Sequence, residues 1–267
     1  MPRMSDSPAV HLAAVRGAEL AWTEEGAGPA VVWAHGLTST GRGQEDAGMF
    51  DWSPVARAGF RLVRYDARGH GASTGTRDPG DYTWASLGDD LLALLDQVAP
   101  GQQVAGMGSS MGTATLLFAA LKEPDRFSRL VLTSAPTAWE TRRAQADVYL
   151  QLADLVEAQG LEALVRAMAG APRPAIFEEL AEEAPHIAED LLPTVFRGAA
   201  RSDLPSLDEI ATIQAPVLLL PWAGDPGHPV ATSEALARVL PHAELELGSS
   251  LAETRAWGGR AAEFLVG

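Results

Sequence analysis

Positions 108–112 read Gly108-Ser109-Ser110-Met111-Gly112, a G-x-S-x-G element set between an apolar stretch at 104–107 and a helix-forming stretch at 113–121. A strand that turns into a helix this sharply leaves no room for a side chain two residues either side of the central serine, so both positions must be glycine. The pattern is that of a nucleophile elbow. It predicts that Ser110 stands at the bend with its Oγ exposed above the end of a sheet.

Two further loops fall where strand-like runs end. The apolar run 30–34 stops at His35-Gly36-Leu37-Thr38, and the run 61–65 ends in Asp66-Ala67-Arg68-Gly69-His70-Gly71-Ala72-Ser73. In that order the three motifs resemble the His-Gly oxyanion loop, the D-x-R-G-H-G-x-S loop and the serine elbow of the α/β-hydrolase superfamily. The resemblance covers nearly the whole chain, because 216–220 reads as a later strand whose end carries Asp225, the place of the triad acid in such enzymes. It implies one domain over 1–267, a mostly parallel twisted sheet with helices on both faces, and a helical lid inserted at about 139–207.

Composition fits this class. A chain of 267 residues with 46% hydrophobic content can bury a full core, and short apolar runs alternating with helical patterns are the mark of βα units. A formal charge of -15 makes nucleic acid and anionic membrane surfaces poor partners, and the hydrolase resemblance implies a small-molecule substrate. No apolar run approaches the ~18 residues of a membrane span, and 1–10 lacks the layout of a secretory signal, so a cytoplasmic location is expected. With no cysteine and six scattered histidines, no metal and no cofactor are expected.

Along the chain we expect a β ribbon at 11–15 and 19–23 turning at Arg16-Gly17, a helix opening near Trp52-Ser53-Pro54, and a helix at 87–95 with Asp89 and Asp90 at its favourable early end. Strands follow at 129–132 and, last, at 244–247. From 139 to 207 the pattern is helical, with Tyr149, Leu152, Leu155 and Val156 spaced for one buried face and Leu161, Leu164, Val165 and Met168 for another. Trp139, Tyr149, Phe177 and Phe196 are the lid residues expected at a substrate pocket; the competing expectation is that they only pack lid against core. Glu178, Glu179, Glu182, Glu183 and Glu189 read as a solvated helix face.

The chemistry implied is acyl transfer on a small, mostly apolar ester, lactone or thioester, with Ser110 as nucleophile and Asp225 as acid. The resemblance places the oxyanion donors at the Leu37 and Met111 amides, with His35 and Gly36 in the loop that faces the substrate. It also places the base histidine after the last strand, but the chain there reads Gly248-Ser249-Ser250-Leu251-Ala252-Glu253, and no histidine lies beyond Ala243. Three readings stay open. His228 serves as base, because Pro226 and Gly227 at the centre of a type II turn bring Asp225 and His228 together. Another histidine serves, among His35, His70, His186 and His242, His11 lying too far toward the N-terminus. Or the triad is incomplete, and the protein is a ligand binder or catalyses a non-hydrolytic reaction.

Overall fold

In the computed structural model, which describes residues 8–170, 174–181 and 184–267, strands form wherever short apolar runs are bounded by turn residues. They are β1 (His11–Val15), β2 (Ala18–Glu25), β3 (Ala30–Ala34), β4 (Arg61–Tyr65), β5 (Val104–Ser109), β6 (Phe127–Thr133), β7 (Val217–Leu220) and β8 (Ala243–Leu245). They make one sheet in the order β1-β2-β4-β3-β5-β6-β7-β8. The ribbon β1-β2 and its junction with β4 are antiparallel, and every other pairing is parallel. Every residue of β3, β5 and β7 is buried, as expected for central strands covered on both faces.

Alternate side chains of these strands feed two separate cores. On one face Val32, Leu130 and Leu219 pack with α3 (Trp84–Val98), α4 (Met111–Lys122), α8 (Leu207–Ile210) and α9 (Val230–Val239). On the other, Val31, Val131 and Leu218 pack with Val55 of α2 (Ser53–Arg57) and Trp257 of α10 (Leu251–Val266), beyond the short α1 (Gly43–Asp46). Between β6 and β7 the chain makes a helical insertion with a third core of its own, built from α5 (Arg142–Gln159), α6 (Leu161–Ala169) and α7 (Leu192–Ala200). The buried Arg142 guanidinium ties this insertion together, donating to the carbonyls of Ser202 at 2.6 Å and Ala199 at 2.5 Å and lying over the Trp84 ring. Among the described residues no helix is long and apolar enough to cross a membrane.

Four local expectations need correction. Helix α3 begins before 87, because the Thr83 hydroxyl caps it by accepting the Ser86 amide; Asp89 and Asp90 therefore sit in its second turn. Asp90 is buried there and accepts two hydrogen bonds from Arg68, both at 2.7 Å, so it is held by a cation rather than by the helix end. The last strand stops at Leu245, and Glu246 and Gly248 reach back to Leu219 and Pro221 through single backbone bonds. Val165 is 37% exposed, pointing away from the buried face of α6. Of the acidic cluster, Glu182 and Glu183 lie outside the described residues, while Glu178, Glu179 and Glu189 are exposed as expected but sit in turns rather than on a helix face.

The bend between β5 and α4 is as tight as its glycines imply. A Cβ on Gly112 would stand 1.9 Å from the Ala34 carbonyl oxygen, and one on Gly108 would stand 2.7 Å from the Gly112 carbonyl group. Register places Ala34 beside Gly108, so the 35–38 loop emerges next to the bend. Gly112→Ala should accordingly lower the unfolding free energy by at least about 2 kcal/mol. Gly259→Ala, in α10 with nothing near its Cβ position, should raise it by about 0.5–1 kcal/mol. Urea titrations of both variants check the contrast.

Candidate active site

Ser110 occupies the bend with φ 52° and ψ -109°, a left-handed conformation that a side-chain-bearing residue adopts only when its surroundings enforce it. The enforcement comes from both sides. The Ser110 amide donates to the Thr133 carbonyl at 3.2 Å, and the Thr113 hydroxyl, one turn into α4, bonds the carbonyls of Gly108 and Thr133. The serine hydroxyl is thereby turned out of the sheet toward the loop after β7.

That loop carries Asp225 and His228. His228 Nδ1 lies 2.7 Å from Asp225 Oδ2, and His228 Nε2 lies 2.8 Å from Ser110 Oγ. Because a carboxylate can only accept, Nδ1 carries the proton, which leaves Nε2 to accept from the Ser110 hydroxyl. Burial works to raise the Asp225 carboxyl, but hydrogen bonds from His228, the Trp222 indole and the Gly227 amide outweigh it and bring the carboxyl down to about 2. The turn is closed by the His228 amide on the Asp225 carbonyl at 3.2 Å, but Gly227 does not take the positive φ that a type II turn requires. Asp225 Oδ1 accepts the Gly227 amide at 2.8 Å instead, and this side-chain bond fixes the turn.

The other histidines lie elsewhere. His35 is buried, donating from Nδ1 to the Gly36 carbonyl and accepting the Ala67 amide at Nε2, so it pins the 35–38 loop and does not face the cavity. His70 is buried against it, ring centroids 5.1 Å apart. His11 stacks on Trp22, and the exposed His242 gives its carbonyl to Val217 at the opposite end of the sheet. His186 holds the insertion to the 35–38 loop through its amide on the Thr38 carbonyl.

A cavity of about 360 Å³ opens over Ser110. Leu37 and Gly36 form one wall, and Tyr149, Phe177 and Phe196 of the insertion form the roof. Trp139 does not reach it: its indole donates to the Pro205 carbonyl at 3.0 Å, its amide donates to Asp203, and its ring packs on the sheet core. The competing expectation therefore holds for Trp139. Among the described residues no hydrogen bond engages the Leu37 or Met111 amide.

Two residues at the site belong to no motif in the sequence. Trp222 donates from Nε1 to the same Asp225 oxygen that His228 uses, at 2.8 Å, and its ring meets His228 edge-on. Gln44 accepts the Gly36 amide at 3.1 Å and donates to Ser109 Oγ at 3.1 Å, joining the loop after β3 to the bend. Both lie in loops or a short helix, without the periodicity that marks strands and long helices. The 248–253 stretch, where the superfamily keeps its histidine, is used otherwise: the Ser250 hydroxyl caps α10, and Glu253 accepts the Ser249 amide.

With this geometry in place, comparison with known proteins gives one answer. Residues 29–157 match the family model described as alpha/beta hydrolase fold. The chain is 32% identical over 197 residues to 3-oxoadipate enol-lactonase 2 of Acinetobacter baylyi, covering 70% of each. It is 36% identical over 127 residues to an epoxide hydrolase of Caballeronia sordidicola, a match spanning 46% of this chain and only 36% of that protein. The crystal structure of a hydrolase from Pseudomonas aeruginosa superposes with TM-score 0.81 at 27% identity, over 98% of this chain and all of that one. The chain belongs to the α/β-hydrolase family.

The buried histidine pair sets an acid limit. Burial holds His35 down to about 4 and His70 down to about 3, so both are neutral in the folded chain, whereas an unfolded chain protonates them near 6.5. A group lowered in this way stabilises the fold fully above about pH 6.5 and loses that stabilisation as pH falls toward 4. Unfolding free energy should drop by about 1.4 kcal/mol per pH unit for each histidine in that window. His70→Gln should halve the slope, as read from urea titrations at pH 7.5, 6.0 and 5.0.

Proposed function

We propose that this protein is a serine hydrolase acting by acyl transfer on a small, mostly apolar ester, lactone or thioester. The observation that carries the reading is the unbroken chain from Ser110 Oγ through His228 to Asp225, at 2.8 and 2.7 Å. His228 takes the Ser110 proton as Oγ attacks the carbonyl carbon, and the imidazolium that forms is steadied by the ionised Asp225. Negative charge gathering on the carbonyl oxygen is met by the Leu37 and Met111 amides, a contribution typically of about 100- to 1000-fold in turnover. His228 then passes its proton to the leaving oxygen, and water, activated in the same way, frees the acid from Ser110.

The cavity supports the substrate class. Its roof of Tyr149, Phe177 and Phe196 makes the helical insertion a lid that supplies apolar walls and sheds water. Burial raises the Tyr149 phenol, so it stays neutral and can only act as a hydrogen-bonding group there. The lactone in the name of the Acinetobacter relative is in keeping with an acyl-transfer site. A histidine within hydrogen-bond reach of Ser110 Oγ supports catalysis over simple ligand binding.

Ser110→Ala should reduce hydrolysis of p-nitrophenyl acetate to the uncatalysed rate. His228→Ala should lower kcat by at least about 100-fold with KM little changed, since a positioned base acts on the transition state rather than on binding. Steady-state kinetics on both purified variants checks this, and undiminished turnover in His228→Ala would end the assignment.

A further inference from the structure

A second chamber, of about 330 Å³, adjoins the first and shares with it the lining residues Leu37, Gln44, Met49 and Met168. The lining it does not share is apolar except for Ser39 and His186, with Ala47 on the α1 side and Val165 and Leu180 on the insertion. Val165, an apolar residue turned away from the core of its own helix, finds its surroundings here. Ser110, Asp225, His228 and Trp222 border the first chamber only.

This division sorts the two halves of an ester. When the tetrahedral intermediate collapses, the bond from carbonyl carbon to leaving oxygen breaks and that oxygen takes the proton held on His228 Nε2, so the leaving group must stay in the chamber that contains His228. The carbonyl oxygen is fixed between the Leu37 and Met111 amides. Only the substituent on the carbonyl carbon remains to be housed, and the space beyond Leu37 and Gln44 is the second chamber. We propose that this chamber is the acyl subsite and that it accepts an unbranched, uncharged acyl chain of medium length, on the order of six to ten carbons, as its volume allows. Ala47 and Val165 set that length. The inference rests on the hydrolase reading of Ser110.

Two ester series measured on the unaltered protein separate the halves: p-nitrophenyl esters of acids from acetate to decanoate, and acetates of alcohols of the same range of lengths. The kcat/KM of the acyl series should climb by about fourfold per added methylene until the chamber is filled, while the alcohol series climbs far less. Ala47→Trp and Val165→Trp, each confirmed as folded by circular dichroism, should cut the octanoate-to-acetate ratio of kcat/KM by at least about 50-fold. A flat acyl series beside a steep alcohol series would assign the chamber to the leaving group and overturn the proposal, as would unchanged ratios in both folded variants. If no ester in either series were hydrolysed, the reading of Ser110 itself would fail, and the acyl assignment with it.

Discussion

The first turn of α4 lies against the end of β3 so closely that nothing larger than hydrogen fits between Gly112 and the Ala34 carbonyl. That approach forces the bend, and the bend forces Ser110 into a left-handed backbone conformation that costs on the order of 1–3 kcal/mol. The cost is borne by a helix buried on nearly every side and by the Thr113 hydroxyl, which bonds the carbonyls of Gly108 on β5 and Thr133 on β6. Its return is position. The hydroxyl, the Met111 amide and the Leu37 amide are brought to one end of the sheet because three parallel chain segments end there together.

On that fixed base the loop after β7 completes the site in four residues. An imidazole and the carboxylate that orients it are separated by one turn, whose geometry is set by Asp225 itself: one oxygen holds the Gly227 amide, and the other holds His228. Trp222 fills the space beside them and donates to the same carboxylate, which keeps Asp225 ionised and aimed. The loop after β8 holds no histidine and serves as the start of α10, with Ser250 as its cap and Gly248 seated against the Trp257 ring.

Much of this was legible in the sequence, for reasons that differ by element. The parallel strands were readable because β3 and β7 are short unbroken apolar runs and β4 and β5 carry apolar stretches that end at loop motifs, and the bend because its glycines answer a steric demand that no other residue meets. Asp225-Pro226-Gly227-His228 could be read as a turn, but its class was misjudged, because a side-chain bond to the Gly227 amide replaced the backbone conformation that glycine suggests. Trp139 was misplaced because an aromatic residue has no local feature telling a cavity wall from an indole that bonds a distant carbonyl such as that of Pro205. Gln44 and Trp222 act through partners 65 residues and three residues away respectively, and neither contact has a period or a motif to announce it.

The central claim is that an imidazole in the acid's own loop activates Ser110. The most direct measurement is the second-order rate at which a fluorophosphonate labels the protein, with the modified residue located by mass spectrometry, in the unaltered chain and in His228→Ala. The account predicts a single adduct on Ser110 and a rate at least about 100-fold lower without the imidazole. Equal labelling rates in the two proteins, or an adduct on a different residue, would contradict it.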